Sequence, residues 1–301
     1  MNQSNLSHTD IQIPELSLGA MSLDFKDVKL ASYILDQALD LGINYIDTAD
    51  MYDKGENEKL IGEITKKNRA AWTIASKVGN KWRADGSGWD WAPSKSYILG
   101  AVETSLRNLQ TDYIDNYQLH GGTIDDPFNE IIEAFELLKE QGKIKAYGIS
   151  SIRPNVFLKY ANETNISSNL MQYSLLDRRP EEYLNLLNED KVAVFVRGAL
   201  AQGLLIDKPS KKYLEFTEQE VKAAQEAVNA IAKDLEVPAL AVALKYPLLH
   251  DAVKSVVVGI RTESQFADLK EAIPAMGKLS SSDYQPLLNL LPTIRYTDHR
   301  Q

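Results

Sequence analysis

Four side chains of different chemistry, Asp47, Tyr52, Lys77 and His120, could together move a proton onto a carbonyl oxygen. Tyr45, Ile46 and Asp47 follow the helix breaker Gly42 and read as a short strand. Asp47 therefore sits where a buried strand meets its loop, a costly place for an unpaired carboxylate. Tyr52 hangs in the loop beyond. WTIASK, residues 72–77, reads as a strand ending unusually in Lys77, and YIDNYQLH, residues 113–120, as one ending in His120. A free phenol titrates near pH ~10 and is a weak acid at neutrality. A cation beside its oxygen stabilises the phenolate and makes the phenol a better donor. Lys77 can be that cation, Asp47 can keep it charged and oriented, and His120 can hydrogen-bond a bound carbonyl oxygen. That set is an oxyanion site with a proton donor. The carbonyl carbon must also receive something, and a hydride from a nicotinamide fits.

Each residue has a plainer reading. Asp47 with Lys77 could be a structural ion pair, His120 a satisfied core histidine beside Tyr117, and Tyr52 a packed ring. Any one alone reads as structural. Four meeting on one face is a different matter, and whether they meet depends on the elements that carry them.

Those elements alternate. Strands are expected at 16–21, 45–47, 72–77, 113–120, 146–150, 169–173, 192–197 and 253–259, with helical spacing between them. Examples are Val28, Ala31, Ile34, Leu35 and Ala38, and Ile98, Ala101, Val102, Ser105, Leu106 and Leu109 after the start signal Ser94. Helices are also expected at 180–187, 218–235, 238–249, 263–272 and 282–291. The strands are mostly continuously apolar, as in a parallel sheet buried on both faces. Repeated βα units of this number point to an α/β fold, a (β/α)8 TIM barrel, with residues 11–301 as one domain with a C-terminal tail. A doubly wound sheet binding a dinucleotide would usually carry G-x-G-x-x-G after a strand, and none is present. In a barrel the strand C-termini converge on one face, which brings Asp47, Lys77 and His120 together with Tyr52 above them. Residues 1–10 are polar and are expected to be flexible. The long loop at 79–93 holds Trp82, Trp89 and Trp91, which either cap a ligand pocket or pack against the body.

The whole-chain totals narrow the class. Of 301 residues 44% are hydrophobic, enough for a large core, and the net charge of -9 argues against a nucleic-acid or anionic-membrane surface. The absence of cysteine excludes disulfides, thiolate catalysis and Cys-type metal centres. No metal site is expected. The start, MNQSNLSHTD, lacks an apolar signal core, and no apolar run nears the roughly 18 residues of a membrane span. A cytoplasmic protein acting on a small molecule is the expectation.

These residues resemble the aldo-keto reductase family. The likeness runs from LSLGAM to the helix at Glu263, and its most specific parts are INYIDTADMYDKGENEKLIG and SLRNLQTDYIDNYQLH. TIASKV, GKIKAYGISS, MQYSLL, ALAQGLL and VVVGIRTESQ also belong to it. The resemblance implies a (β/α)8 barrel reducing aldehydes and ketones with NADPH, or less often NADH. It implies Asp47, Tyr52, Lys77 and His120 as catalytic residues, with Tyr52 the general acid. It further implies that Gly19, Ala20 and Met21 line the nicotinamide pocket beside Asp47, and that Ser150, Ser151 and Gln172 bind the carboxamide. Arg197, Gly198, Leu200, Gln202 and Gly203 would run beside ring and pyrophosphate. Gly259, Arg261, Gln265 and Asp268 would hold the adenosine end, with Arg261 placed for a 2′-phosphate. Three positions depart from the family pattern: Ser151 stands where Asn is common, Arg197 where an aromatic stacks on the nicotinamide, and Leu269 where Asn contacts adenine. Trp82 and Trp89, with Tyr52 and His120, are expected to line the substrate mouth.

Two other classes compete. A barrel aldolase would use Lys77 as a Schiff-base nucleophile, which needs an uncharged amine. A non-enzymatic NADPH-binding regulator, like the potassium-channel β-subunits that share this fold, could keep the same four residues.

Overall fold

The computed structural model describes residues 2–300. In chain order its strands are β1 (Gln3–Asn5), β2 (Gln12–Pro14), β3 (Leu16–Gly19), β4 (Tyr45–Asp47), β5 (Thr73–Val78) and β6 (Asn80–Trp82). Then come β7 (Trp89–Trp91), β8 (Ile114–Leu119), β9 (Ile144–Ile149), β10 (Ser168–Gln172), β11 (Ala193–Arg197) and β12 (Val253–Val258). The helices are α1 (Val28–Asp40), α2 (Glu56–Thr65), α3 (Lys95–Leu109), α4 (Phe128–Glu140), α5 (Pro154–Glu163) and α6 (Glu181–Glu189). They continue with α7 (Glu218–Asp234), α8 (Ala239–Lys245), α9 (Glu263–Ala275) and α10 (Gln285–Leu290). Eight strands close a barrel in the order β3-β4-β5-β8-β9-β10-β11-β12, all parallel, with β12 returning to β3 through Val256 and Leu16. The alternation read from the sequence is therefore a (β/α)8 barrel.

The helices form because their apolar spacing finds the barrel wall and their ends find partners. Asp27 caps α1 by accepting from the Leu30 amide at 3.0 Å, and Ala31, Ile34, Leu35 and Ala38 are buried. Ser94 caps α3 through the Tyr97 amide, and Thr217 and Glu220 close a capping box on α7. At Gly62 in α2 a Cβ would lie 2.4 Å from the Asn108 carbonyl, so only glycine lets α2 and α3 approach this closely. The stretch at 238–249 does not stay one helix: α8 ends at Lys245, and Pro247, which lacks an amide hydrogen, opens a 3-10 turn instead. No helix among the described residues is long and apolar enough to cross a membrane.

Of residues 1–10, expected to be flexible, Gln3–Asn5 form β1, and Met1 lies outside the described residues. β1 and β2 form an antiparallel hairpin that places Leu6 and Ile13, both fully buried, against Tyr45, Ala75, Ala146, Leu170, Ala193 and Phe195. A barrel leaves apolar side chains at its N-terminal end, and the hairpin covers them. The Tyr45 and Phe195 rings meet there with centroids 4.7 Å apart. Residues 79–93 also hold structure: β6 and β7 pair antiparallel with Trp82 opposite Trp89, and the turn between them is rich in glycine.

Candidate active site

β4, β5 and β8 are adjacent in the barrel, so their C-terminal residues must converge. Asp47 ends β4, Lys77 is the penultimate residue of β5, and His120 follows β8, its amide donating to the Val78 carbonyl at 2.7 Å. Tyr52 begins the 3-10 turn beyond β4. The Lys77 ammonium is fully buried and donates to Asp47 Oδ2 at 2.7 Å, to the Thr48 carbonyl at 2.8 Å and to the Tyr52 hydroxyl at 3.4 Å. The Tyr52 and His120 rings stand edge to face, centroids 5.8 Å apart. The structure thus brings all four expected residues together.

Their charge states follow from these contacts. Burial alone would lower the Lys77 pKa, but Asp47 and Tyr52 outweigh it and hold the ammonium above its ordinary value. Burial pushes the Asp47 carboxyl up while Lys77 pulls it back. At 2.7 Å from an ammonium with three acceptors, the carboxylate–ammonium form is the stable one. His120 is pushed down to about 3, by burial first and then by the positive charges of Lys77 and Arg197. It is a neutral imidazole at physiological pH. Its Nδ1 is buried without a partner among the described residues.

Supporting residues not singled out from the sequence lie behind the four. Thr48 Oγ1 donates to Asn57 Oδ1 at 2.7 Å, and Asn57 Nδ2 donates to the Ala20 carbonyl at 2.8 Å, tying α2 to the loops after β3 and β4. Glu58 is buried and accepts from Ser76 Oγ at 2.6 Å and Asn108 Nδ2 at 3.1 Å. Asp50 lies near it with its carboxyl pushed up to about 8, chiefly by burial and then by Glu58. Asn57 and Glu58 fall on the buried face of α2 and inside the stretch INYIDTADMYDKGENEKLIG, the two signals that could have found them.

A cavity of about 600 Å³, within the range of ligand sites, is lined by residues that follow β11 and β12. Gly198, Leu200, Gln202, Gly203, Gly259, Arg261, Gln265 and Asp268 line it, so eight expected cofactor residues meet at one cavity. Ser22, Ile206, Lys208, Leu240 and Leu244 line it too and were not anticipated. At Gly259 a Cβ would lie 2.2 Å from Ser22 Oγ, so any side chain there would have to turn the serine hydroxyl aside. Arg261 precedes α9, and its amide donates to Gln265 Oε1 at 2.9 Å.

The other expected cofactor residues lie outside this cavity's lining, at or beyond strand ends. Gly19 ends β3, Ala20 is buried just beyond it, and Met21 is 61% exposed. Ser150 and Ser151 follow β9, and the Ser151 amide donates to Asn169 Oδ1 at 3.1 Å. Gln172 and Arg197 are paired across β10 and β11, and Arg197 Nη1 donates to Gln172 Oε1 at 3.0 Å. Gln172 Nε2 donates to Asp177 at 2.8 Å and to the Tyr213 hydroxyl at 3.2 Å.

The tryptophans divide. Trp91 packs against Gly79 and donates to Asp126 at 2.7 Å. Trp82 lies beside the Tyr52 loop, donating from Nε1 to the Met51 carbonyl at 3.2 Å. Trp89 is 47% exposed on the outer strand of the hairpin.

The chain matches the Aldo/keto reductase family over residues 15–290. It is 44% identical over 311 residues to the uncharacterized oxidoreductase YqkF of Bacillus subtilis, covering 100% of each. The holo form of aldo-keto reductase AKR11C1 from Bacillus halodurans resembles it with a TM-score of 0.93 at 45% identity over 100% of both chains. A glycerol dehydrogenase, AKR11B4 from Gluconobacter oxydans, shares the fold at TM-score 0.85 and 22% identity, over 96% of this chain and 94% of that one. A family match across almost the whole length, on a barrel whose mouth holds a buried ammonium shared by a carboxylate and a phenol, leads to one conclusion: the chain is an enzyme of the aldo/keto reductase family.

Proposed function

We propose that the protein reduces aldehydes and ketones to alcohols with NADPH, Tyr52 giving the proton. Its family works with a nicotinamide cofactor on small carbonyl substrates. The observation that carries the reading is the Lys77 ammonium, 2.7 Å from Asp47 and 3.4 Å from the Tyr52 oxygen, at the mouth of the barrel. When bound, the nicotinamide supplies the hydride for the carbonyl carbon. Tyr52 and neutral His120 hold the carbonyl oxygen. As negative charge develops there, Tyr52 releases its proton to it, and Lys77 stabilises the phenolate left behind. Asp47 keeps Lys77 charged throughout.

The cavity residues named above would hold the dinucleotide, with Ser150, Ser151 and Gln172 at the carboxamide and Arg197 flat beside the ring. A guanidinium can stack as an aromatic does. Arg261 at the start of α9 would meet the 2′-phosphate of NADPH. NADH remains the second cofactor, since a 29% identical relative over 71% of this chain is an NADH-specific methylglyoxal reductase of Escherichia coli. Trp82 and Trp89 would border the substrate. The buried, raised ammonium weighs against a Schiff-base role for Lys77.

The test is cofactor oxidation against a panel of aldehydes, ketones and sugars, for the wild type and Tyr52→Phe. Tyr52→Phe should bind NADPH nearly as well and lose reduction. Turnover equal to wild type in that variant would remove Tyr52 from the chemistry.

A further inference from the structure

The phenol of Tyr52 is held by little of its own. Its hydroxyl meets Lys77 at 3.4 Å, a long contact, and its ring meets His120. What fixes it is therefore the backbone turn that carries it. That turn is unusual: Asp53, Lys54 and Gly55 follow in the left-handed region at φ 48, 58 and 89°. Glycine enters that region freely, but two side-chain-bearing residues in succession do not.

The turn delivers Lys54 to a specific place. Its ammonium lies 5.0 Å from the centroid of the Trp82 ring, a cation–π contact with the β6–β7 hairpin. A Cβ on Gly86, in the turn of the same hairpin, would lie 3.0 Å from Lys54 Nζ. Trp82 returns a second contact, its indole N–H donating to the Met51 carbonyl at 3.2 Å. The Lys54 amide donates to that same carbonyl at 3.3 Å. Tyr52 sits between the acceptor, Met51, and the cation, Lys54. The hairpin thus grips the turn on both sides of the phenol.

We propose that Lys54 and Trp82 are positioning residues for Tyr52: together they latch the β6–β7 hairpin onto the Met51–Gly55 turn and so set the phenol against Lys77. This rests on the reading of Tyr52 as proton donor. A latch of this kind acts on every substrate alike, because it places the acid. A wall of the substrate mouth would discriminate between large substrates and small ones.

Lys54→Met keeps the stem and removes the cation, Lys54→Arg restores a cation, and Trp82→Phe keeps a ring without its N–H. Lys54→Met and Trp82→Phe should each lower kcat about ten-fold for the smallest and bulkiest aldehydes alike. In Lys54→Met, KM, NADPH affinity and Tm should stay near wild type, and Lys54→Arg should recover most of the loss. Amide hydrogen exchange in Lys54→Met should quicken at residues 51–55 and 80–91 together, a readout that needs no turnover. Unchanged exchange in both segments, or a loss confined to KM for bulky aldehydes, would overturn the latch. Full turnover in Tyr52→Phe would instead overturn the underlying role of Tyr52, leaving the exchange result to judge the latch by itself.

Discussion

Lys77 Nζ lies 2.7 Å from Asp47 Oδ2, with both side chains sealed from solvent. Removing one partner of such a pair leaves an uncompensated buried charge and typically costs about 3–5 kcal/mol. Asp47→Asn should therefore unfold at lower denaturant concentration and lose about 100-fold or more in kcat. The pH profile carries the sign. Asp47 raises the Lys77 pKa, so the contribution of Lys77 is fully present below the ordinary lysine value and lost only as pH rises through the raised one. Without Asp47, burial dominates, and the alkaline limb of kcat should move to lower pH. An unmoved limb would show that Asp47 does not set the charge of Lys77.

Asp50 makes the opposite contribution. Its folded carboxyl keeps a proton up to about pH 8, whereas the unfolded chain releases it near pH ~4. Between those values the unfolded state is increasingly favoured as pH rises. Asp50→Asn carries no such proton and should stabilise the protein, by about 2–4 kcal/mol more at pH ~8 than at pH ~5. Calorimetry at the two pH values checks this, and an equal gain at both would contradict it.

Arg261 lies two residues before α9 and lines the cavity. Arg261→Ala should weaken NADPH about ten-fold or more while changing NADH little, since only NADPH has the 2′-phosphate. Binding titrations with both cofactors decide it, and equal loss would remove the phosphate role.

Leu6 at the barrel floor is fully buried against Tyr45 and Phe195. Leu6→Ala should cost about 2–5 kcal/mol in urea unfolding, with kcat unchanged, because the floor lies away from the strand C-termini. A cost near zero would mean that the hairpin is not part of the core.

Asp47, Lys77 and His120 were legible because each is polar where an apolar strand ends, and a barrel leaves such ends only one place to go; Tyr52 follows in the loop just beyond Asp47. Trp91 shows the limit of that reasoning: nothing in GWDW distinguishes it from Trp89, yet one ring packs and the other faces solvent. The N-terminal hairpin was missed because three-residue strands are too short to show a period, and its burial depends on the open end of a barrel far away in sequence. Asp50 and Glu58 were missed for a related reason. They read as ordinary acids of a polar loop and helix start, and only the docking of α2 and α3 on β5 removes their water.

The Gln172 amide has a direction. Both of its N–H bonds are already given, to Asp177 and Tyr213, while its oxygen takes one donor, from Arg197. An sp² oxygen has room for one more. If the cofactor carboxamide docks at Gln172 as proposed, the contact can run only one way, from the amino group of the ligand to this oxygen. The carbonyl half must then be met by donors on the β9 side, so a ligand presenting a carboxylate in place of the amide would face an oxygen it can only repel.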